Sequence, residues 1–222
     1  MPIRKNKKSD RYDTSQLIEA QFESGSQGRV LKNLHGITSK REIDKAEAEA
    51  LKQALDMLVK TYDQEHQFTA EDIRRIHKLW LSSIYPWAGM YRHVNLMKGD
   101  FPFAFARQIP NLMQEFENEY LKNFTPCRFY PVEKTIKAIA IVHTELVLIH
   151  PFREGNGRVS RVLATLMANQ AGLPFLNFEM IIGKQRQEYF AAVRYGLDKN
   201  YVPMEKIFRG VIRKTISDFE KS

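Results

Sequence analysis

Residues 131–150, PVEKTIKAIAIVHTELVLIH, constrain the fold more than any other stretch. Pro131 opens the segment, and its second half is apolar on nearly every face. A helix that is apolar all round has to be buried, so the pattern predicts a central helix with others packed around it. The helix is expected to end near His150, because Pro151 disfavours helical geometry in the residue before it.

The rest of the chain supplies helices to surround that one. Residues 39–60 are strong helix formers, with Ile43, Ala46, Ala50, Leu51, Ala54, Leu55 and Leu58 on one broad face. Ser39 and Glu42 make a capping-box pattern at its start. A second helix is expected from Thr69 through IRRIHKLWLSSI, until Tyr85, Pro86, Trp87 and Gly89 break it. Short alternating apolar runs over 91–108 flank the turn signal Lys98-Gly99-Asp100 and predict a small hairpin. Further helices are expected over about 110–123, from Arg158 to a stop at Gly172, and as a pair or trio over 184–219 jointed at Gly196 and Pro203. The expected fold is all-α, one helical domain with a small hairpin. Its divisions are an N-terminal tail and helical extension (1–68, a candidate regulatory segment), a core (69–210) and a C-terminal helix end (211–222).

Composition narrows the function only slightly. The 222 residues suit one substantial domain. No run approaches the roughly 18 apolar residues of a membrane span, and the basic start MPIRKNKKSDRYD lacks the apolar stretch of a secretory signal. The single cysteine, Cys127, allows no internal disulfide and suits a reducing cytoplasm; it is expected to be a small semi-buried apolar residue. The net charge of +8 is spread among acidic residues outside the N-terminal tail, so it selects no partner and no specific nucleic acid.

The chemistry gathers at HPFREGNGRVSR, residues 150–161, between two predicted helices. A loop feeding a helix N-terminus offers free N–H groups and a favourable dipole to an anion. Gly155 and Gly157 remove side chains that would block the approach of a phosphate, and Asn156 adds an amide. Arg158 and Arg161 share a helix face and can fork onto phosphate oxygens. Glu154 supplies a hard oxygen suited to Mg²⁺ bridging phosphates. His150, at the loop entrance, can take a proton from an attacking hydroxyl. Phe152 is expected to anchor the loop in the core. Together these groups describe phosphoryl-type or nucleotidyl transfer. HTELVLIH has the wrong spacing for an HExxH zinc site, so His143 is expected to make a buried hydrogen bond within the central helix.

HPFREGNGR resembles, at every specified position, the HPFx[DE]GNGR signature of the Fic domain family, and Arg161 matches a further arginine of its active members. HKLWLSSIYPWAGMYR and IVHTELVLIHPF resemble the family's upstream block and central helix, so the resemblance covers about 69–210. It implies a Fic-type helical fold and transfer of AMP from ATP to a Ser, Thr or Tyr hydroxyl of a target protein, with release of pyrophosphate. His150 would be the base, Glu154 the Mg²⁺ ligand, and Gly155, Asn156, Gly157, Arg158 and Arg161 the phosphate-binding set. Doc-type kinases carry a lysine for the second glycine and lack the first, which argues against phosphate transfer here. Other nucleotidyl or phosphocholine-type transfer and a nucleic-acid-binding regulator are the competing readings.

The resemblance also assigns the hairpin a role, as a flap that pairs with the target peptide; Lys98, Gly99, Asp100, Phe101 and Phe103 are its candidate residues. Tyr189, Tyr195 and Leu197 are candidates for an adenine pocket or for core packing. Family members are restrained by an [ST]xxxE[GN] helix, in a separate antitoxin or in the same chain, whose glutamate pairs with the second motif arginine. Thr38 and Glu42 match it loosely, with Ile43 in place of Gly or Asn; Ser15 with Glu19 and Thr61 with Glu65 match equally loosely, followed by Ala20 and His66, and Glu42 is carried forward as the candidate inhibitory residue. Neither the target nor export as an effector is legible.

Overall fold

The computed structural model describes residues 16–183 and 185–221; the basic N-terminal stretch, 1–13, lies outside them. The first long helix, α1 (Lys40–Thr61), starts where Ser39 Oγ accepts from the Glu42 N–H at 3.4 Å and buries Ile43, Glu47, Ala54 and Leu58. The reciprocal half of a capping box appears instead in α2 (Ala70–Leu81): Thr69 Oγ1 accepts from Asp72 N, and Asp72 Oδ2 accepts from Thr69 N at 3.0 Å. Helix α2 turns Ile73, Ile76, His77, Trp80 and Leu81 inward.

A two-residue hairpin follows, β1 (Met97–Lys98) against antiparallel β2 (Phe101–Pro102), with Lys98 opposite Phe101. The expected 110–123 helix is α3 (Ile109–Phe116), which runs through a π-turn at Glu117–Leu121 into α4 (Lys122–Phe124).

The apolar segment is the central helix, α5 (Val132–Ile149), which packs on α3, on α6 (Asn156–Gln170) and on α9 (Val202–Phe219). Ile139, Val142 and Leu146 are at most 1% exposed, and each fully buried side chain of this size contributes about 1.5–3 kcal/mol. Short α7 (Glu179–Ile182) and α8 (Arg186–Tyr195) lead into α9. That last helix runs unbroken through 210 and 211.

Two details of the α5–α6 junction differ from the sequence-based expectation. The helix stops at His150, but His150 takes a left-handed backbone, φ 54°, rather than the extended one that a following proline favours. Helix α6 begins at Asn156 instead of Arg158, because Gly155 adopts φ 84° and acts as its N-cap.

Candidate active site

Arg92 sets the entrance to the loop. Its fully buried guanidinium donates through Nε to the His150 carbonyl at 2.7 Å and through Nη2 to the Ala104 carbonyl at 2.6 Å. A cation at the C-terminus of α5 meets the orphan carbonyls and the negative end of the helix dipole. It thereby joins the end of α5 to the base of the hairpin.

Inside the loop, Phe152 is fully buried as expected and stacks on His77 with ring centroids 3.9 Å apart. His77 Nδ1 accepts from the Gly89 N–H at 2.7 Å, which leaves Nε2–H to donate to the Glu154 carbonyl at 3.1 Å. The Asn156 side chain is spent within the loop. Its Oδ1 accepts from Phe152 N and its Nδ2 donates to Phe152 O, both at 2.8 Å. The amide expected to face a phosphate is therefore a staple, and only the backbone N–H of Asn156 remains for a ligand at the start of α6.

The two glycines serve different purposes. A Cβ on Gly155 would lie 2.6 Å from Trp80, so this glycine clears the protein rather than a phosphate. A Cβ on Gly157 would meet only Arg161 Nη1 at 3.6 Å, and Gly157 faces the cleft.

The arginines also separate. Arg158 Nη1 pairs with the buried Glu47 of α1 at 2.6 Å, Nη2 reaches Glu154 Oε1 at 3.3 Å, and the guanidinium lies 4.6 Å from the Trp80 ring centre. Arg161 lines the same cleft with no hydrogen-bond acceptor or ion-pair partner among the described residues; burial lowers its pKa, partly offset by Tyr189. A half-buried cation without an anion is a binding opportunity.

The cleft measures about 1030 Å³. His150, Glu154, Gly155, Asn156, Gly157 and both arginines lie along it, as do all five expected flap residues. Phe103 stacks on the His150 ring at 3.6 Å, and Asp100 of the hairpin pairs with Arg194 of α8 at 2.5 Å. Lys98 Nζ lies 3.6 Å from the Phe190 ring centre. Burial, and then Arg186, hold its ammonium below its usual pKa. The hairpin is thus latched onto α8 across the cleft.

His150 Nδ1 lies 3.0 Å from the Val147 carbonyl. A carbonyl only accepts, so Nδ1 carries the proton and Nε2 keeps a free lone pair. Burial, with smaller contributions from Arg92 and Lys98, pushes the imidazole pKa down to about 4, and it is neutral at pH 7.

Of the aromatic candidates, buried Tyr189 lines the cleft and donates to His143 Nε2 at 2.9 Å. His143 Nδ1–H bonds the Ser160 carbonyl of α6, so its partners are on neighbouring helices and not within α5. Tyr195 and Leu197 are exposed and outside the cleft, so they neither pack the core nor line the pocket. Ile181, Ile182, Arg186, Phe190 and Val193 stand there instead. Nothing in their spacing distinguished them from ordinary amphipathic positions. Glu42 is exposed and, among the described residues, makes no ion pair with Arg161. The acidic residue of α1 that pairs with the motif is Glu47, which the capping reading of this helix passed over, and Asp44 of the same helix lines the cleft. Cys127 is fully buried rather than semi-buried.

Burial likewise pushes His77 and His143 down to about 3. In the unfolded chain a histidine titrates near 6.5. As pH falls from about 6.5 toward 4, the unfolded state takes up protons that these three folded-state imidazoles refuse, so stability falls through that window and is full above it. Thermal melts from pH 8 to pH 4 are expected to show a plateau above pH 7 and a falling Tm below it. A Tm that stays level down to pH 4.5 contradicts the buried neutral rings.

A model of the Fic/DOC family matches residues 67–168. The chain is 28% identical over 145 residues to the "Probable protein adenylyltransferase Fic" of Escherichia coli, covering 63% of this chain and 68% of that protein. It is 26% identical to the protein adenylyltransferase VbhT of Bartonella schoenbuchensis, over 86% of this chain but only 38% of VbhT. Among solved structures, the Fic domain of a Bartonella effector protein from Bartonella sp. AR 15-3 superposes with a TM-score of 0.71 at 22% identity, covering 88% of this chain and 92% of that one. This last likeness establishes the fold. No helix among the described residues is long and apolar enough to cross a membrane.

Proposed function

Because residues 67–168 match a model of the Fic/DOC family, we propose that this chain transfers AMP from ATP to a Ser, Thr or Tyr hydroxyl of a target protein and releases pyrophosphate. One observation carries the reading. A neutral imidazole with a free Nε2 and an unpaired guanidinium, Arg161, line one cleft with the N-terminus of α6. That arrangement supports a base for the incoming hydroxyl beside a cradle for a polyphosphate.

In this mechanism the target oxygen forms a bond to the α-phosphorus as the bond to the pyrophosphate oxygen breaks. His150 Nε2 accepts the hydroxyl proton, while Val147 holds the ring's tautomer and Phe103 its plane. Phosphate charge beside the ring raises its pKa from about 4 toward the range in which a histidine base works best. The N–H groups of Asn156 and Gly157 and the Arg161 guanidinium receive the phosphate oxygens. Mg²⁺ would neutralise the charge on the departing pyrophosphate. Glu154 is the one motif carboxylate at the cleft, and no group of three metal-ligating side chains exists among the described residues. The donor set therefore fits an ion that arrives with the nucleotide. The hairpin positions the target segment beside His150 by main-chain pairing.

Incubation of the protein with a cell lysate, Mg²⁺ and ATP labelled at either the α- or the γ-phosphate tests the reading. Label from the α-phosphate alone is expected on protein. Label from the γ-phosphate on protein would replace AMP transfer with phosphate transfer.

A further inference from the structure

Helix α1 lies outside the family-matched residues 67–168, yet it contributes a group that touches the motif. The Glu47 carboxylate is buried, its side chain 4% exposed. Oε2 accepts from Arg158 Nη1 at 2.6 Å, and Oε1 accepts from the Tyr85 hydroxyl at 2.6 Å. The Glu47 carbonyl also accepts the indole N–H of Trp80 at 2.8 Å, and the Arg158 guanidinium lies over that indole. Arg158 lines the cleft and Glu47 does not. The carboxylate therefore stands behind the guanidinium and takes no space from a ligand.

We propose that Glu47 is a positioning residue for nucleotide binding: it holds the Arg158 guanidinium against Trp80 with its remaining N–H groups available to the cleft, so that α1 is a working part of the site. The proposal rests on the nucleotide reading of that cleft. A free arginine side chain loses considerable rotamer freedom when it grips a phosphate. A carboxylate and an aromatic floor that fix it in advance remove that loss from the binding step. Tyr85 keeps the carboxylate itself in place. Burial, and then Glu47, hold its hydroxyl far above the usual range, so it stays a donor. The sign distinguishes this from restraint by an acidic side chain. An inhibitory acid fills the ligand's place, and its loss strengthens binding. Loss of the Glu47 charge weakens it.

The test uses the full chain. ATP affinity with Mg²⁺ is measured by calorimetry for wild type, Glu47→Gln, Tyr85→Phe, Arg158→Ala and the double variant Glu47→Gln/Arg158→Ala, each with a thermal melt. Glu47→Gln keeps the shape and loses the charge. It is expected to weaken ATP binding about tenfold, with Tyr85→Phe in the same direction and smaller. The decisive result is non-additivity: in the Arg158→Ala background, Glu47→Gln should change ATP affinity by less than twofold. A merely structural role would lower affinity by the same factor in both backgrounds and overturns the proposal. Unchanged or tighter binding by Glu47→Gln also overturns it while leaving the nucleotide reading intact. A wild type that binds no ATP removes the nucleotide reading, and the proposal with it.

Discussion

His150→Ala is expected to lower transfer of α-labelled phosphate to protein by about 10²–10⁴-fold, the usual contribution of a positioned general base. Affinity for ATP should change by only a few-fold, because the proposed phosphate cradle, the start of α6 with Arg158 and Arg161, has no atom bonded to the His150 side chain. Parallel assays of label transfer and calorimetric ATP binding separate the two effects. Transfer that survives in the alanine variant at more than a tenth of the wild-type rate would remove the imidazole from the proton transfer. The pH profile gives an independent check. With the free-enzyme pKa pushed down to about 4, kcat/KM should stay level through pH 6.5, where an ordinary histidine base would already be half protonated.

The two glycines should fail in opposite ways. Gly155→Ala places a Cβ 2.6 Å from the Trp80 ring at a backbone φ of 84°. Left-handed strain on a side-chain-bearing residue costs about 1–3 kcal/mol, and displacing a packed indole adds to it. For a chain of this size each kcal/mol lowers Tm by about 2–4 °C, so a drop of roughly 5–10 °C is expected. Transfer falls as well, because Trp80 is the surface on which Arg158 rests. Gly157→Ala sits inside the first turn of α6 with room for its methyl group, 3.6 Å from Arg161. Alanine in a helix is worth about 0.5–1 kcal/mol over glycine, so stability should hold or rise slightly. The methyl group projects where phosphate is expected, and ATP binding should weaken. Equal losses of stability in both variants would contradict this division.

Much of the fold was legible because its signals are local. The apolar face of α1, the all-round apolar run of α5, the Thr69 cap of α2 and the Lys98-Gly99-Asp100 turn are all read within a few residues of one another. The motif was legible for the same reason, since His150 through Arg161 are contiguous in the chain. Its internal economy was not. Asn156 resembled a ligand amide until its partner proved to be Phe152, four residues back, and Arg158 and Arg161 looked equivalent until one was found paired and the other not. The cleft wall from α7 and α8 was equally hidden, because Ile181, Phe190 and Val193 differ from core residues only in what stands opposite them.

By itself the sequence determined a mostly helical chain built round one buried helix, with a small hairpin and a loop whose residue types suit an anion and a base, since period, capping and loop chemistry depend on neighbours in the chain. Only the tertiary structure decided how those groups are shared out. Trp80 crowds Gly155, Glu47 claims Arg158, Phe103 covers His150, and Arg161 is left without a partner. The first three are contacts between residues on different elements, often far apart in the chain. Whether a charge is spent within the protein or left for a ligand depends on which partner lies within about 3 Å once the helices have packed.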